Sequence, residues 1–231
     1  MREIHGKLVC ETLEEVLDPD RCAVIVIDMQ NDLVDPAGRI AQTGLDMSGM
    51  YRILPRCAEF IENARALDVP VVHIQTITMP GGASDSASWI RAKGTMVRDA
   101  DFCLEGTWGA EICDDVAPLA DELVVTKHRS SAFHGTDLDL LLRSRGIETV
   151  VVIGEQTPGC VEATFRDAAY HDYYNVLVED CVAAFDQEQH DASILVQRRR
   201  HDVCTAKDVL EIWYASRDSS PALASSVVGR S

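Results

Sequence analysis

Short β-branched, apolar runs alternate along this chain with longer stretches whose apolar residues recur at helical spacing, and that alternation leaves few architectures open. The runs fall at residues 23–27, 71–75, 123–126, 150–153 and 176–179, with a weaker pattern at 201–204. They are apolar throughout rather than alternating, as in parallel strands buried on both faces. Between them, Ala58, Ile61, Ala64 and Leu67, joined by Phe60, share one helical face that stops before Val69-Pro70, where proline disfavours helix. Thr136 with Asp139 three residues on resembles a capping box for a helix carrying Leu138, Leu141 and Leu142, and Gly146 is placed to end it. Val161, Thr164, Phe165 and Ala168 form another inward stripe. The prediction is a three-layer α/β/α fold, Rossmann-like and doubly wound, around a mostly parallel six-stranded sheet.

At 231 residues a single domain is expected, with its core over about residues 20–214. The first twenty residues carry little pattern, and the Ser- and Ala-rich tail from 216 to 231 is expected to be disordered. Residues 76–107 are too long and irregular for a simple connection; they read as an active-site loop or lid, or as a surface insertion. A net charge of −17 argues against nucleic acid or an anionic membrane surface as partner. No apolar run approaches the roughly 18 residues that span a bilayer. The eight cysteines are scattered, without a CxxC pair or an apolar leader, so reduced thiols in a cytoplasmic protein are expected.

Sheets of this kind bind ligands beyond the carboxyl ends of their strands. Three chemically capable residues fall there: Asp28 after the first run, Lys127 after the third, and Cys160 beyond the turn that follows the fourth. Cys160 opens a predicted helix over 160–172, and a thiol in a helix's first turn can have its pKa lowered to about 3.5–7.5 from about 8.5. Singly, each has a plain explanation: a turn-capping carboxylate, a solvated ammonium, a small buried hydrophobe. Together they place a nucleophile, a base and a cation at one sheet edge.

These segments also carry a resemblance. Ile25-Val26-Ile27-Asp28-Met29-Gln30-Asn31-Asp32-Leu33 resembles the opening strand of the isochorismatase-like cysteine hydrolases. Thr126-Lys127-His128-Arg129-Ser130-Ser131-Ala132-Phe133 is similar to that family's lysine segment, and Gly154 through Cys160 to Ala168 to its nucleophile segment. The match runs over roughly residues 20–214, and its helix around residues 141–147 is most similar to ureidoacrylate amidohydrolases and close to biuret and N-carbamoyl hydrolases. The resemblance implies a triad of Asp28, Lys127 and Cys160, an oxyanion hole from the backbone amides of Gln156 and Cys160, and a cis peptide between Glu155 and Gln156. Glu155-Gln156 and Pro158-Gly159 depart from the small or apolar residues and Thr-Asp-x or Thr-Asn-x run of many members, which bears on the shape of the oxyanion turn.

The implied activity is cleavage of a C–N bond in a small linear amide, ureido or carbamoyl compound through a thioester. The alternatives are an isochorismatase-type vinyl ether hydrolase and a non-enzymatic thiol sensor or binding protein. Gln30, Leu33, Trp89, Trp108, Arg129, Phe133 and Gln156 belong to segments that could line the pocket mouth. The tryptophans fit a core or a subunit contact equally well, and Arg129 fits an ion pair as well as a substrate carboxylate. The nicotinamidases of the family carry an Asp-x-His-x-x-x-His metal cluster after the second strand, whereas residues 76–88 here hold Asp85 and no histidine. His73 reads as a core or pocket residue, and no metal or cofactor is expected. The resemblance implies a homo-oligomer, a dimer or tetramer, for which Arg198-Arg199-Arg200 could serve an interface or simply a solvated helix end.

Overall fold

All six expected strands form one sheet, and every pairing in it is parallel. The computed structural model describes residues 1–93 and 102–219. Strands β1 (Arg2–Ile4) and β2 (Lys7–Val9) make a separate antiparallel hairpin. The main sheet contains β3 (Cys22–Ile27), β4 (Val71–Thr76), β5 (Leu123–Lys127), β6 (Thr149–Glu155), β7 (Tyr174–Ala183) and β8 (Asp202–Cys204), in the order β5-β4-β3-β6-β7-β8. From β3 the chain winds outward to β4 and β5, and from β6 outward to β7 and β8. The winding therefore reverses between β3 and β6, where an open parallel sheet leaves a crevice at its carboxyl edge.

Alternate residues of the central strands feed two cores. Val24 and Val26 face one, with Ile53, Phe60 and Ile61 of α3 (Ser48–Ala66) and Val209 and Trp213 of α8 (Ala206–Ser219). Ala23, Ile25 and Ile27 face the other, with Leu138 and Leu142 of α5 (Leu138–Ser144) and Phe165 and Ala168 of α6 (Glu162–Tyr170). Helix α7 (Gln187–Arg198) packs beside this second layer through Ile194. Among the described residues no helix is long and apolar enough to cross a membrane.

Three local expectations change. The first twenty residues hold, besides the hairpin, α1 (Leu13–Val16), whose Thr12 and Glu15 form a reciprocal capping box. The capping box expected at Thr136 does not form: Asp137 stands at the N-cap without a side-chain bond, and Thr136 donates to the Ala132 carbonyl. The Asp139 carboxylate is drawn instead to Arg143 Nε and the Tyr173 hydroxyl. Gly146 does end α5, at φ 70°, with Ile147 N–H reaching back to Leu142 O and Gly146 N–H to Arg143 O. Residues 216–219, expected in a disordered tail, continue α8; 220–231 lie outside the described residues. The irregular stretch at 76–107 contains the short helix α4 (Ala87–Ala92), capped by Ser86, and residues 94–101 of it lie outside the described residues. Between β3 and α3 lies α2 (Asn31–Val34), fully buried.

Candidate active site

The site grows out of the crevice between β3 and β6. Ile27 pairs with Gly154, and a Cβ on Gly154 would lie 2.2 Å from Ile27 O, so only glycine, here at φ 112°, lets the two strand ends approach. Asp28 follows at once, at φ 52° and with no exposed surface. Lys127 ends β5, two strands away, and its long stem crosses under β4's end to bring the ammonium to the same place. Its Nζ lies 2.8 Å from Asp28 Oδ2, 3.2 Å from Cys160 Sγ and 3.1 Å from Arg129 O. Asp28 meets it as an ion pair, without an aligned hydrogen bond to either carboxylate oxygen.

The segment that brings Cys160 here is not a plain helix start. The Glu155–Gln156 peptide is cis, and residues Thr157–Val161 form a wide turn with Gly159 at φ −112°, ψ −107°, before α6 begins at Glu162. Gln156 O accepts from both Gly159 N and Val161 N, which folds the turn tightly over the strand end. Cys160 thus precedes the regular helix instead of occupying its first turn, and the lowered thiol pKa expected from that position is corrected. Burial pushes the thiol up, Lys127 opposes it, and Asp28 and Glu155 reinforce it. As a residue Cys160 is half-buried, not wholly enclosed. Burial also raises Asp28 against the pull of Lys127. For Lys127, burial opposes the charge, but Asp28 and Cys160 outweigh it and hold the ammonium protonated.

Two neighbours of the turn escaped the sequence reading. Glu155 is only 3% exposed, and burial reinforced by Asp28 holds its carboxyl well above the usual range, with Lys127 opposing. Its burial comes from the pairing of β6 on both sides, which no local sequence pattern announces. Thr157 lies fully buried with its hydroxyl 2.8 Å from His190 Nδ1 on α7, a contact between distant segments that no local pattern announces.

The residues expected to line the pocket separate. Gln30 is wholly buried as a brace: its amide donates to Thr76 O and Ala110 O and accepts from Thr76 N. Leu33 packs into the first core and Phe133 into the second, where its ring stacks on His171 at 4.9 Å. Trp108 is half exposed beside Asn31, Asp35 and Asp114, in a recess that contains none of Asp28, Lys127 and Cys160. Gln156 belongs to the turn that carries Cys160, the Arg129 carbonyl accepts from Lys127, and Trp89 is joined to them through the Arg129 side chain. The Arg129 guanidinium lies 5.0 Å from the Trp89 ring and donates to Ser84 O and His128 O, tying the segment before α4 to the lysine segment. His73 is a core residue, bound through Nε2 to Glu122, and Asp85 pairs with Lys93 at 2.6 Å.

Known proteins share the chain's sequence pattern and its fold. The isochorismatase domain family matches residues 22–208. The ureidoacrylate amidohydrolase RutB of Methylobacterium radiotolerans is 32% identical over 188 residues, covering 76% of this chain and 73% of that protein. RutB of Azorhizobium caulinodans is 33% identical over 171 residues, covering 70% and 75%. Among solved structures, a cysteine hydrolase from Pseudomonas syringae pv. phaseolicola superposes with a TM-score of 0.76 at 25% identity, covering 86% of this chain and 95% of that one. N-carbamoylsarcosine amidase from Thermoplasma acidophilum gives a TM-score of 0.64 at 32% identity, covering 80% and 96%.

Proposed function

This chain belongs to the isochorismatase family, and on that premise we propose that it is a cysteine-dependent amidohydrolase acting on a small linear ureido, carbamoyl or amide compound. The observation that carries the reading is the Lys127 ammonium seated between Asp28 Oδ2 at 2.8 Å and Cys160 Sγ at 3.2 Å. The relatives named for ureidoacrylate and N-carbamoylsarcosine support the substrate class, since both compounds present an N-carbamoyl group.

In this mechanism Cys160 keeps its proton until substrate arrives, in line with the raised thiol. As sulfur attacks the carbonyl carbon, Asp28 takes the S–H proton, a transfer helped by the basicity that burial confers on this carboxylate. Lys127 stays charged and stabilises the negative charge as it passes from the Asp28 carboxylate to sulfur, while the carbonyl electrons move to oxygen, facing the backbone N–H groups of Gln156 and Cys160. Collapse breaks the C–N bond, and Asp28 returns its proton to the departing nitrogen, leaving a thioester. Water, deprotonated by Asp28, then cleaves the thioester and restores the thiol. Trp89, Arg129 and Gln156 are the side chains we assign to the substrate's surroundings.

Ammonia or amine release from a panel of ureido acids, N-carbamoyl amino acids, biuret and simple amides tests the reading, with Cys160→Ser as control. The wild type should turn over at least one N-carbamoyl compound, and the variant should lose at least about a thousandfold in kcat/KM. Turnover that survives Cys160→Ser, or a panel on which the wild type is inert, would overturn it.

A further inference from the structure

The turn that carries Cys160 is gripped from outside by one face of α7. Thr157 stands near its start, fully buried, and a hydroxyl shut away from water needs a hydrogen-bond partner. His190 Nδ1 supplies it at 2.8 Å. Three residues on, and so on the same face of α7, the Ser193 hydroxyl reaches Thr157 O at 3.4 Å and donates in a close contact to the Glu162 carboxylate. Glu162 lies two residues beyond Cys160, so α7 holds the turn on both sides of the sulfur. None of these groups belongs to the Asp28, Lys127 and Cys160 cluster.

We propose that His190 is a positioning residue: through Thr157 it fixes the backbone of residues 156–160 in the geometry that aims Cys160 and the two amides beside it. The proposal rests on the amidohydrolase reading for its kinetic consequences, but not for its structural ones. A neutral ring with its proton on Nε2 offers Nδ1 as an acceptor for the Thr157 hydroxyl; a protonated ring has only donors. Burial lowers the His190 pKa, Asp191 on the same helix opposes it, Arg52 from α3 acts with burial, and Glu179 from β7 opposes. The Asp186 carboxylate, one turn before, is engaged with Gln189 N. The ring is therefore neutral at pH 7, and acidification turns Nδ1 into a donor, so that the Thr157 hydroxyl can keep the contact only by accepting and its own proton loses its acceptor.

The test compares wild type, His190→Ala, His190→Asn, Thr157→Val and the double variant H190A/T157V. It reads kcat and KM from pH 5 to 9 and, independently, the rate of Cys160 alkylation by iodoacetamide, followed on the Cys160 peptide by mass spectrometry. His190→Ala should lower kcat about ten- to a hundredfold with KM nearly unchanged, as a misplaced reacting group does. Asn, whose amide sits where Nδ1 does and does not titrate, should restore most of kcat and abolish the acid limb owed to His190. Thr157→Val should match His190→Ala, and the double variant should be no worse than either, as for two groups acting through one bond. Losses that multiply, or a His190→Ala enzyme within twofold of wild type, would overturn the proposal. If His190→Ala does not fold, His190→Asn and Thr157→Val decide. If the wild type hydrolyses nothing, the hydrolase reading falls, and alkylation alone judges the positioning role: a rate altered by His190→Ala and restored by Asn supports it, and an unaltered rate removes it.

Discussion

Lys127 donates to Cys160 Sγ and Arg129 O and forms an ion pair with Asp28, which is why so polar a head can lie 1% exposed. The same ammonium must serve two buried carboxyls, since Glu155 stands beside Asp28. One cation cannot hold both ionised in a desolvated site, and the raised Glu155 is the one kept neutral. The sign of its effect on stability follows. Unfolded, Glu155 releases its proton above its ordinary value of 4.5; folded, it keeps it, so the native state binds more protons and stability falls as pH rises from there towards the folded pKa. Glu155→Gln should therefore be more stable than wild type at pH 8 and gain little at pH 5, by urea unfolding at the two values. An equal difference at both would refute the neutral carboxyl. That Asp28, Lys127 and Cys160 would meet was legible, because chemically capable residues at or just beyond the ends of three strands are a pattern of position. Glu155 was not, because a charged residue next to a turn reads as a solvated one, and only the pairing of β6 on both sides shuts it in. The thiol was misjudged for a related reason: the Pro158-Gly159 turn displaces Cys160 from the regular helix, so burial acts without the full helix terminus to counter it.

Elements were read most accurately where periodicity ran long. The central strands were legible because burial on both faces leaves an uninterrupted apolar run. The edge strand β5 kept its β-branched residues although it alternates in burial, β8 gave the weaker pattern that three residues allow, and β1, β2 and α1, three or four residues each, left almost none. Thr12-Leu13-Glu14-Glu15 was the available signal for α1, a capping box written out in full. Gln30 shows the opposite error, a polar residue close to Asp28 taken for a pocket residue when its three hydrogen bonds join the end of β4 to the Trp108–Ala110 turn. Replacing it tests which description holds. Gln30→Ala would strip Thr76 N–H and O of their side-chain partner in a partly buried place, while Ala110 O keeps Gln75 Nε2, and should cost about 1–3 kcal/mol. Urea unfolding measures that loss; a variant of unchanged stability but raised KM would return Gln30 to the pocket.

At the scale of the whole molecule, α8 closes the face of the sheet covered by α3, and the chain's later part is thereby tied to its beginning. Trp213 is fully buried with its ring 5.6 Å from that of Phe60, while Arg217 pairs with Asp20 at 2.6 Å and donates to Leu67 O. The Ser- and Ala-rich composition after residue 215 concealed this closure, since a single arginine carries the contact and no apolar stripe continues. Removing the indole should cost the fold about 3–5 kcal/mol, the range for deleting a large aromatic from a core. Trp213→Phe should cost clearly less than Trp213→Ala, because most of the ring area is kept and an indole N–H without an aligned partner is removed with the rest. The cluster of Asp28, Lys127 and Cys160 lies at the carboxyl edge of the sheet, whereas Trp213 sits in the core beneath α3, so below their melting temperatures both variants should alkylate Cys160 at the wild-type rate. Thermal unfolding and the alkylation rate, measured on the same samples, separate the two effects. A Trp213→Ala protein that is as stable as wild type would mean that α8 does not close the core, and one that stays folded but reacts at a changed rate would mean that the sheet transmits the loss to its edge.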